Sequence, residues 1–502
     1  MAAGAGALPG ILAIGFALRV WACWSQTHVL FFDETLQYFE QGHRLAFGSG
    51  IVPWEFADGI RSWLLPGLIA LAMTATAKVG DDPMLYIGLV RGLCICLSLL
   101  VVLVGFRAGE RHAGRMGGIV AGGFCAIWFD LIYFAPAAMT EVLAAHLAIA
   151  ALFLGEAHRT KRAAFWIGAL FGAAVCLRYQ YAPVLLPAIV WQYRAARDLW
   201  PWLILGGGAM LLPFAGVLDA ITWGAAFQSI WLNFARNSLQ GIAAAMGTEG
   251  PGYYLDYLNI ALAPLPVFLA LAAIGAVRFP ALAIAAVGTV AMHSLLPHKE
   301  VRFIYLAIAA APILIGLGCA ELLRMLSARQ EWRAAAIGAT GFLAIAALLS
   351  WFIATGPLEG RWSFQRGIVH AFLAAHDAPD LCGLQVRDIP AWKSGGYTYL
   401  HRDVPLMFAP HISEVWLPGV AVPLRFAVER NRGPVPRCAV PILMSSPKPR
   451  VIPRGSRQSP VSLATRGQAS RNCACSGVPA VVRDNATLTC ADLSCGHADI
   501  FI

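Results

Sequence analysis

LPGILAIGFALRVWACW, residues 8–24, is an apolar run, and FDETLQYFEQGHR, residues 32–44, is the polar segment that follows it. A membrane-spanning helix needs about 20 predominantly apolar residues, with a lower limit near 17. The first run reaches that limit and lacks the basic n-region and the small-residue cleavage site of a signal peptide. It is therefore predicted to be a retained first span, with the polar segment at the membrane boundary.

Composition extends this prediction to the whole chain. Of its 502 residues, 58% are hydrophobic and 13% are charged, whereas soluble proteins are about 45–50% apolar and about 25% charged. This sparse charge and the mean hydropathy of +0.65 exclude a soluble protein. The net charge of +9 comes from short basic clusters between apolar runs, which indicates orientation in a bilayer and not binding to nucleic acid.

The rest of the chain repeats the pattern of the first run. The apolar runs lie at 8–26, 63–77, 84–106, 116–135, 138–155, 163–177, 182–193, 199–218, 258–277, 279–297, 303–322 and 334–354. Basic clusters occupy every second connection, and the positive-inside rule makes those connections cytoplasmic. The intervening connections, including 219–258 and 297–302, then face outward.

The run 63–77 decides on which side of the membrane residues 32–44 lie. It is 15 residues long, contains Pro66 and ends at Lys78. Such a run is too short for a span and predicts an interfacial or re-entrant segment inside a long first outer loop, 27–84. The resulting fold class is an all-α polytopic membrane protein with about 11 spans. Residues 32–44 and 297–302 then share the outer face.

Asp33 and Glu34 are adjacent carboxylates at the membrane boundary, where ionisable groups are costly and mark candidate functional sites. A low-dielectric environment raises the pKa of a carboxylate, which suits a general base. The alternative is structural, with Asp33 as the N-cap of a short helix that carries Glu34 and Gln37. The residues alone favour neither interpretation.

A second polar stretch, WEFADGIRSW at 54–63, lies in the same loop. Trp54, Glu55 and Arg61 suit a surface-lying helix beside a substrate site. Taken alone, the stretch is more typical of an aromatic belt with an ion pair. Glu141 and Arg178 lie at outward ends of other spans, where they either line the same cavity or satisfy backbone groups.

The third polar stretch is PHKEVRF at 297–303, which includes Glu300. His298, Lys299 and Arg302 are potential cations that suit a phosphate clamp, since arginine offers a planar fork and lysine a point charge. The alternative is a loop that only sets orientation, but the positive-inside rule disfavours a basic cluster on the outer side. A phosphate site is therefore the preferred interpretation.

These motifs, in this order and at these spacings, resemble glycosyltransferase family 22, the polyprenyl-phosphate-mannose-dependent mannosyltransferases that include the GPI mannosyltransferases. The resemblance covers residues 10–408 and is most specific at HKEVRF, 298–303. DE, WEF and IRS, all within 33–62, are similar to the family's first outer loop. LDAITWG at 218–224 is similar to its middle outer loop, although the family usually has Tyr in place of Trp223. The Ala-, Gly- and Arg-rich composition favours a bacterial member.

The resemblance implies a GT-C fold and an inverting transfer of mannose from a polyprenyl-phosphate donor to a glycan or glycolipid hydroxyl. It implies Asp33 as the general base, Glu34 as an orienting group, and a leaving phosphate neutralised by His298, Lys299 and Arg302. The other side chains expected to line the site are Glu300, Gln37, Trp54, Glu55, Arg61, Glu141 and Arg178. Neither a metal nor a cofactor is expected. The site would face outward from a bacterial inner membrane, or into the endoplasmic reticulum lumen of a eukaryote.

The chain is predicted to divide into a transmembrane domain, 1–356, a small outer portion of mixed structure, 357–408, and an atypical tail, 409–502. In the second part, SGGYTYLH at 394–401 predicts a strand after a glycine turn. In the tail, Arg, Pro, Ser and Cys become frequent and periodicity vanishes, which indicates disorder or a shifted reading frame. Its cysteines, such as those at 473–475, do not match zinc-site spacings.

Three alternatives to a mannosyltransferase are a transporter or flippase, a non-catalytic scaffold and a transferase of another sugar. A transporter or flippase of lipid-linked sugars would show related halves and helices broken at mid-membrane, but no internal repeat is visible and the polar residues crowd one face. A non-catalytic scaffold would not need Asp33 or the cations at 298–302. Within the enzymes, the rival is a GT-C transferase that moves another sugar onto a lipid, a glycan or a protein. Mannose transfer is the preferred prediction.

Overall fold

The computed structural model describes residues 6–25, 31–328, 332–387 and 389–409 and, beyond residue 409, only the backbone of short strands. The disorder or frame shift expected for 409–502 therefore falls largely outside the described residues. The described α-helices are α1 (Ala7–Ser25), α2 (Glu40–Phe47), α3 (Trp54–Ala57), α4 (Leu64–Thr76), α5 (Pro83–Ile127), α6 (Phe129–Tyr133), α7 (Thr140–Ala157), α8 (Lys161–Leu177), α9 (Ala182–Tyr193), α10 (Trp200–Leu211), α11 (Leu218–Trp223), α12 (Gln228–Phe234), α13 (Ile242–Ala245), α14 (Tyr253–Ala261), α15 (Leu265–Arg278), α16 (Pro280–Ser294), α17 (Tyr305–Ala328), α18 (Trp332–Thr355), α19 (Arg366–His376) and α20 (Gly396–Leu400).

Tighter and wider helical turns lie between these helices. The π-helical turns are Glu34–Phe39, Leu212–Val217 and Ala235–Leu239, and the 3₁₀ turns are Tyr179–Tyr181, Arg197–Leu199, Val301–Ile304, Glu359–Ser363 and Ala391–Lys393. The strands are β1 (Gly50–Val52), β2 (Leu384–Arg387), β3 (Leu406–Ala409), β4 (Glu414–Val415), β5 (Leu424–Arg425), β6 (Ala427–Glu429), β7 (Ile442–Leu443), β8 (Val482–Arg483), β9 (Ala486–Thr487) and β10 (Ile500–Phe501). They form two-stranded pairs, of which β2–β3 and β7–β10 are parallel and β1–β6, β4–β5 and β8–β9 are antiparallel.

The spans confirm a polytopic, all-α membrane protein. Within the described part of the chain, six helical segments are long and apolar enough to cross a membrane, or seven if α14 and α15, bent by 93°, count as one span. The predicted number of about 11 spans is not confirmed. The 45 residues of α5 are two helices that meet at non-helical backbone at Ala113 and Gly114. The second half packs back on the first, since a Cβ atom at Gly109 would lie 2.2 Å from the Gly117 carbonyl oxygen, so the predicted runs at 84–106 and 116–135 remain separate helices there. Other runs form helices as short as the 12 residues of α9.

α17 lies at the centre of the bundle. The rest of the protein buries 89% of its span, compared with 17% of the span in α1, so the apolar surface of α1 remains for lipid. α15 approaches α17 so closely that a Cβ atom added at Gly275 would lie 1.9 Å from the Leu314 carbonyl oxygen. A Cβ atom added at Gly318 of α17 would likewise lie 1.9 Å from the Leu271 carbonyl oxygen of α15. Small residues let membrane helices pack at this distance.

α4 corresponds to the predicted short run at 63–77. It has 13 residues, so it is about 20 Å long at 1.5 Å per residue, shorter than the hydrocarbon core of about 30 Å. Its inner face, which includes Ile69 and Met73, is buried, and Gly42 of α2 packs against Ile69. The interfacial position of α4 stays a prediction.

The C-terminal residues 357–408 pack against the first outer loop. Phe372 of α19 and Leu400 of α20 belong to the same buried core as Leu36 and Ile51 of that loop. The Tyr86 hydroxyl at the start of α5 donates to the carbonyl of Thr398. This part of the chain therefore helps to position the first outer loop.

The strand predicted at 394–401 is wrong, because Gly396–Leu400 forms the short helix α20. The buried Glu40 carboxylate accepts hydrogen bonds from the Thr398 backbone N–H at 2.5 Å and from the Thr398 hydroxyl at 2.6 Å. A buried carboxylate without such partners would be costly. Gly396 permits the turn, since its φ is +60° and a Cβ atom there would lie 2.4 Å from Glu40 Oε1.

Candidate active site

A cavity of about 530 Å³ opens between three connections that are predicted to face outward. They are the first outer loop, the middle outer loop at 219–258 and the 297–302 turn. Of the twelve site residues predicted from the sequence, ten line this cavity and two do not. The ten are Asp33, Gln37, Trp54, Glu55, Glu141, Arg61, Arg178, His298, Glu300 and Arg302. Residues from five separate parts of the chain thus converge on one site. The two exceptions, Glu34 and Lys299, lie behind its wall.

Asp33 lies directly before the π-helical turn Glu34–Phe39 and makes no capping hydrogen bond from its side chain. The N-cap interpretation of Asp33 is therefore wrong. Its carboxylate instead accepts a hydrogen bond from the Arg302 guanidinium and is 32% exposed. π-Helical turns are rare and occur often at functional sites. Asp33 is thus a cavity carboxylate that a ligand can reach.

Arg302 is the centre of the charge network in the cavity. Its side chain is 6% exposed, and its Nη2 atom lies 2.8 Å from Glu300 Oε1. Its Nε atom lies 3.4 Å from Glu141 Oε1, and Nη2 also contacts Asp33. Arg178 belongs to the same charge network, because its Nη1 atom lies 3.7 Å from Glu141 Oε2. The contacts of Arg302 with Asp33 and Glu300 are ionic hydrogen bonds, which are stronger than neutral ones, whereas Glu141 is held by ion pairs with Arg302 and Arg178.

His298 lies at the rim of the cavity. Its Nδ1 atom lies 2.9 Å from the Gly247 carbonyl oxygen, which can only accept, so Nδ1 carries the proton. Its Nε2 atom lies 3.3 Å from Glu300 Oε1. This hydrogen bond raises the pKa of His298. Although burial opposes ionisation of Glu300, the Arg302 charge and the His298 hydrogen bond lower its pKa to about 2.

Lys299 does not reach the cavity, which corrects the expectation that it binds phosphate there. Its Nζ atom donates to the carbonyl oxygens of Glu249, at 2.8 Å, and Leu296, at 2.5 Å. The residues of the 297–302 turn alternate in direction, so His298 and Glu300 face the cavity while Lys299 faces the polypeptide behind it. Lys299 thus fastens this turn to the middle outer loop.

Glu34 also differs from the expectation that it acts beside Asp33. It is buried, and its Oε1 atom accepts a hydrogen bond of 2.8 Å from the Ala138 backbone N–H. Its Oε2 atom lies 3.7 Å from Arg91 Nη2. The π-helical backbone directs adjacent side chains to different sides, so Glu34 points into the helix bundle. Its role in this structure is to hold the loop against α5 and the start of α7.

Trp54 and Glu55 form the opposite wall, and both are buried. The aromatic-belt interpretation of this stretch is therefore wrong, because Trp54 faces the cavity and the middle outer loop instead of lipid. Gln37 Nε2 donates to Glu55 Oε1 at 2.8 Å. Burial raises the pKa of Glu55 to about 7. A carboxyl group that titrates near neutrality therefore lies in the same cavity as Asp33.

The cavity contains residues that the sequence analysis missed. His293 lies on α16 within an apolar run, and a histidine in such a run is itself a signal of a functional site. Trp392 comes from the C-terminal portion, and its ring contacts Phe32 edge-on with 5.9 Å between centroids. Nothing in the sequence around Trp392 indicates that contact. Both side chains line the cavity.

The middle outer loop closes the cavity on a third side. The Tyr179 hydroxyl donates to Asn233 Oδ1 at 2.9 Å, and Asn237 Nδ2 donates to the same oxygen at 3.1 Å. Asp219 accepts from the Ser229 backbone N–H at 2.8 Å and from its hydroxyl at 2.7 Å. These bonds join α11 to α12 and fix Asn237 at the cavity surface.

Comparison with known proteins decides the family. Residues 11–359, which include every predicted site residue, match the Alg9-like mannosyltransferase family.

The chain belongs to the Alg9-like mannosyltransferase family. It is 25% identical to GPI mannosyltransferase 3 of Yarrowia lipolytica, over 75% of this chain and 72% of that protein. It is 26% identical to GPI alpha-1,2-mannosyltransferase 3 of Danio rerio, over 61% of this chain and 57% of that protein. The chain thus spans only a little more than half the length of the second relative. Family membership and these relatives support a membrane mannosyltransferase.

Solved structures confirm the GT-C fold of this Alg9-like chain. The fold is similar to that of ArnT from Cupriavidus metallidurans bound to undecaprenyl phosphate, with a TM-score of 0.51 and 15% identity, over 79% of this chain and 85% of ArnT. It is also similar to the archaeal oligosaccharyltransferase AglB from Archaeoglobus fulgidus, with a TM-score of 0.50 and 13% identity, over 79% of this chain and 64% of AglB. At these identities the likeness concerns the fold alone.

Proposed function

We propose that this protein transfers mannose from a polyprenyl-phosphate-linked donor to a hydroxyl group of a glycan or glycolipid, with inversion at the anomeric carbon. The observation that carries the proposal is the meeting of Asp33 and Arg302 in one cavity. A carboxylate that can take a proton and a cation that can hold a phosphate are the two groups this reaction needs. The names of the GPI mannosyltransferase relatives support the choice of mannose.

Asp33 is the proposed general base. In an inverting displacement, the acceptor oxygen bonds to C1 of the sugar while the bond from C1 to the phosphate oxygen breaks. The acceptor proton passes to the Asp33 carboxylate, and the electron pair leaves with the phosphate. The exposure of Asp33 makes its carboxylate accessible to an acceptor hydroxyl.

Arg302 and His298 are the proposed ligands of the leaving phosphate. Arginine presents a fork of N–H donors that fits phosphate oxygens, and the His298 ring adds positive charge at the rim when it is protonated. Glu300 contacts both side chains, at 2.8 Å and 3.3 Å, and so positions them. Fixed cations of this kind stabilise negative charge as it develops in the transition state.

The site is proposed to face the outer side of the membrane, periplasmic or luminal. Support comes from the basic clusters at the opposite ends of the spans and from the short α4, which leaves residues 27–84 on the same side as the 297–302 turn. The cavity would then receive a lipid-linked donor from the adjacent leaflet. The membrane domain 1–356 would hold the site, with residues 357–408 as an outer portion that contributes Trp392.

Product analysis with two donors tests the proposed reaction. Purified protein in lipid nanodiscs is given radiolabelled mannose either on polyprenyl phosphate or on GDP, with a membrane glycolipid extract as the acceptor source. We expect transfer from the polyprenyl donor only. When mannose is β-linked to polyprenyl phosphate, inversion gives an α-mannoside, so we expect an α-specific mannosidase to release the label. Transfer from GDP-mannose, or a product that resists the α-mannosidase, would contradict the proposal.

A further inference from the structure

Arg61 lies in the cavity wall, and its backbone is fixed by the middle outer loop. The Trp223 indole N–H donates to the Arg61 carbonyl at 2.9 Å. Asn233 Nδ2 donates to the carbonyl of Ile60 at 3.1 Å. These two bonds hold the 60–61 peptide between α11 and α12, so the backbone of Arg61 is fixed beside the cavity.

The Arg61 guanidinium differs from the other cations in the cavity. Within the described part of the chain, it donates no hydrogen bond and has no carboxylate oxygen within 4.0 Å. Its Nε atom is buried without a hydrogen-bond partner, as are the Nε atoms of Arg178 and Arg302, so the missing carboxylate is what sets Arg61 apart. Arg178, Arg302 and His298 line the same cavity and are each paired with a carboxylate. The cavity therefore has one guanidinium available for a ligand.

An unpaired guanidinium in such a site is costly. Removal of a charge from water requires a compensating partner. Asp33, Glu55 and Glu141 act on Arg61 electrostatically from beyond contact distance. The same Asp33 and Glu141 contact Arg302. The two guanidinium groups thus share the same acidic neighbours, and Arg61 is the one that contacts no carboxylate.

We propose that Arg61 binds the phosphate group of the lipid-linked donor, as a second cation beside Arg302. This proposal rests on the proposed function. Arg302 alone is shared by three carboxylates, so a donor phosphate near it would meet net negative charge. In the transfer, the bond between C1 and the phosphate oxygen breaks, the acceptor oxygen bonds to C1, and Asp33 takes the proton. The phosphate changes from a monoanionic diester to a dianionic monoester, and Arg61 supplies the additional positive charge.

Binding of undecaprenyl phosphate tests the role of Arg61 without requiring any sugar transfer. The variants are Arg61→Gln, Arg61→Lys, which keeps the charge without the planar fork, and Arg162→Gln as a control at an exposed position. Equilibrium binding of radiolabelled undecaprenyl phosphate is measured in nanodiscs. We expect Arg61→Gln to bind at least tenfold more weakly, Arg61→Lys to bind with intermediate affinity, and Arg162→Gln to bind like the wild type.

A second measurement separates ligand binding from a structural role. Since the Arg61 head group has no partner, Arg61→Gln should leave the thermal unfolding midpoint of the ligand-free protein unchanged or higher. Undecaprenyl phosphate should raise that midpoint in the wild type and much less in Arg61→Gln. A lower ligand-free midpoint in both Arg61 variants, with undecaprenyl phosphate affinity unchanged, would overturn the proposal.

A phosphate carried by the acceptor is the other possible source of the same chemistry. The KM for a membrane glycolipid extract is therefore compared before and after removal of its phosphate groups with aqueous hydrogen fluoride. A rise in the acceptor KM in Arg61→Gln, with undecaprenyl phosphate binding unchanged, would overturn the donor assignment. The binding assay needs no catalysis, so its failure is distinguishable from a failure of the proposed mannosyl transfer.

Discussion

The Arg302 guanidinium donates a hydrogen bond to the Asp33 carboxylate across 269 residues of sequence. The same guanidinium contacts Glu300 and Glu141. One buried side chain thus connects the first outer loop, the start of α7 and the turn before α17. This contact places the proposed base and the proposed phosphate ligand in direct contact before any substrate binds.

Arg302→Gln should reduce both stability and transfer. Removal of one partner from a buried ion pair costs about 3–5 kcal/mol, and here three carboxylates would each lose a contact with a cation. We expect a lower thermal unfolding midpoint and a fall in transfer rate of at least about 100-fold, which corresponds to roughly 2.7 kcal/mol. Arg302→Lys keeps the charge and should recover most of the stability but little of the transfer. Wild-type transfer by Arg302→Gln would contradict the proposed role.

Glu55 should make stability depend on pH near neutrality. Burial raises its pKa to about 7, whereas an unfolded glutamate has a pKa of about 4.3. The folded state therefore holds this proton more tightly, so its contribution to stability is full below pH about 4.3 and is lost as the pH rises to about 7. We expect the unfolding midpoint of the wild type to fall between pH 5 and 7, and that of Glu55→Gln to fall less. If the unfolding midpoint fell equally steeply with pH in the two proteins, the pH dependence would come from other groups. That result would contradict the raised pKa of Glu55.

The difference between Lys299 and His298 can be measured directly. Lys299 binds two carbonyl oxygens behind the cavity wall, so Lys299→Gln should lower the unfolding midpoint and leave the affinity for undecaprenyl phosphate within about threefold of the wild type. His298→Gln should weaken that affinity more than it lowers the midpoint. The reverse order of effects would restore Lys299 as the phosphate ligand.

Gly396→Ala should separate the C-terminal portion from the first outer loop. The residue has a φ of +60°, which costs an L-residue roughly 1–2 kcal/mol, and the new Cβ atom would clash with Glu40. We expect faster proteolysis after residue 357 and a lower unfolding midpoint. Gly367→Ala is the matched control, because Gly367 lies in α19 with nothing within 4 Å of its Cβ position. Similar proteolysis of the two variants would contradict the contact.

Much of the site could be predicted because ionisable residues in an apolar chain are few. Asp33, Glu55 and Arg302 stand out against long apolar runs, and the cost of burying them restricts them to functional or paired positions. Glu34 and Lys299 were misplaced for a related reason. Sequence shows that a charge is present, but the direction of a side chain depends on local backbone geometry, here a π-helical turn and a tight turn before α17.

The fold class was predicted correctly from the sequence, but the number and the bounds of the helices were not. Hydropathy identifies apolar runs but does not separate a full span from a short packed helix, as α4 and α9 show. It also does not show that the first half of α5 continues through Arg107 and Arg111, up to the break at Ala113 and Gly114. The helix α20 was missed because its conformation depends on the Glu40 carboxylate, 358 residues away, and a local pattern carries no information about such a partner.

The most direct test of the central claim compares Asp33→Asn with Glu34→Gln. Both changes remove one carboxylate charge from adjacent positions, but only Asp33 lines the cavity. Single-turnover mannosyl transfer from polyprenyl-phosphate mannose is measured for each variant, together with its affinity for undecaprenyl phosphate. We expect Asp33→Asn to bind undecaprenyl phosphate and to lose transfer by at least about 1,000-fold, roughly 4 kcal/mol, while Glu34→Gln transfers within about tenfold of the wild type. Transfer by Asp33→Asn at a rate near that of the wild type would contradict the role of Asp33 as the general base.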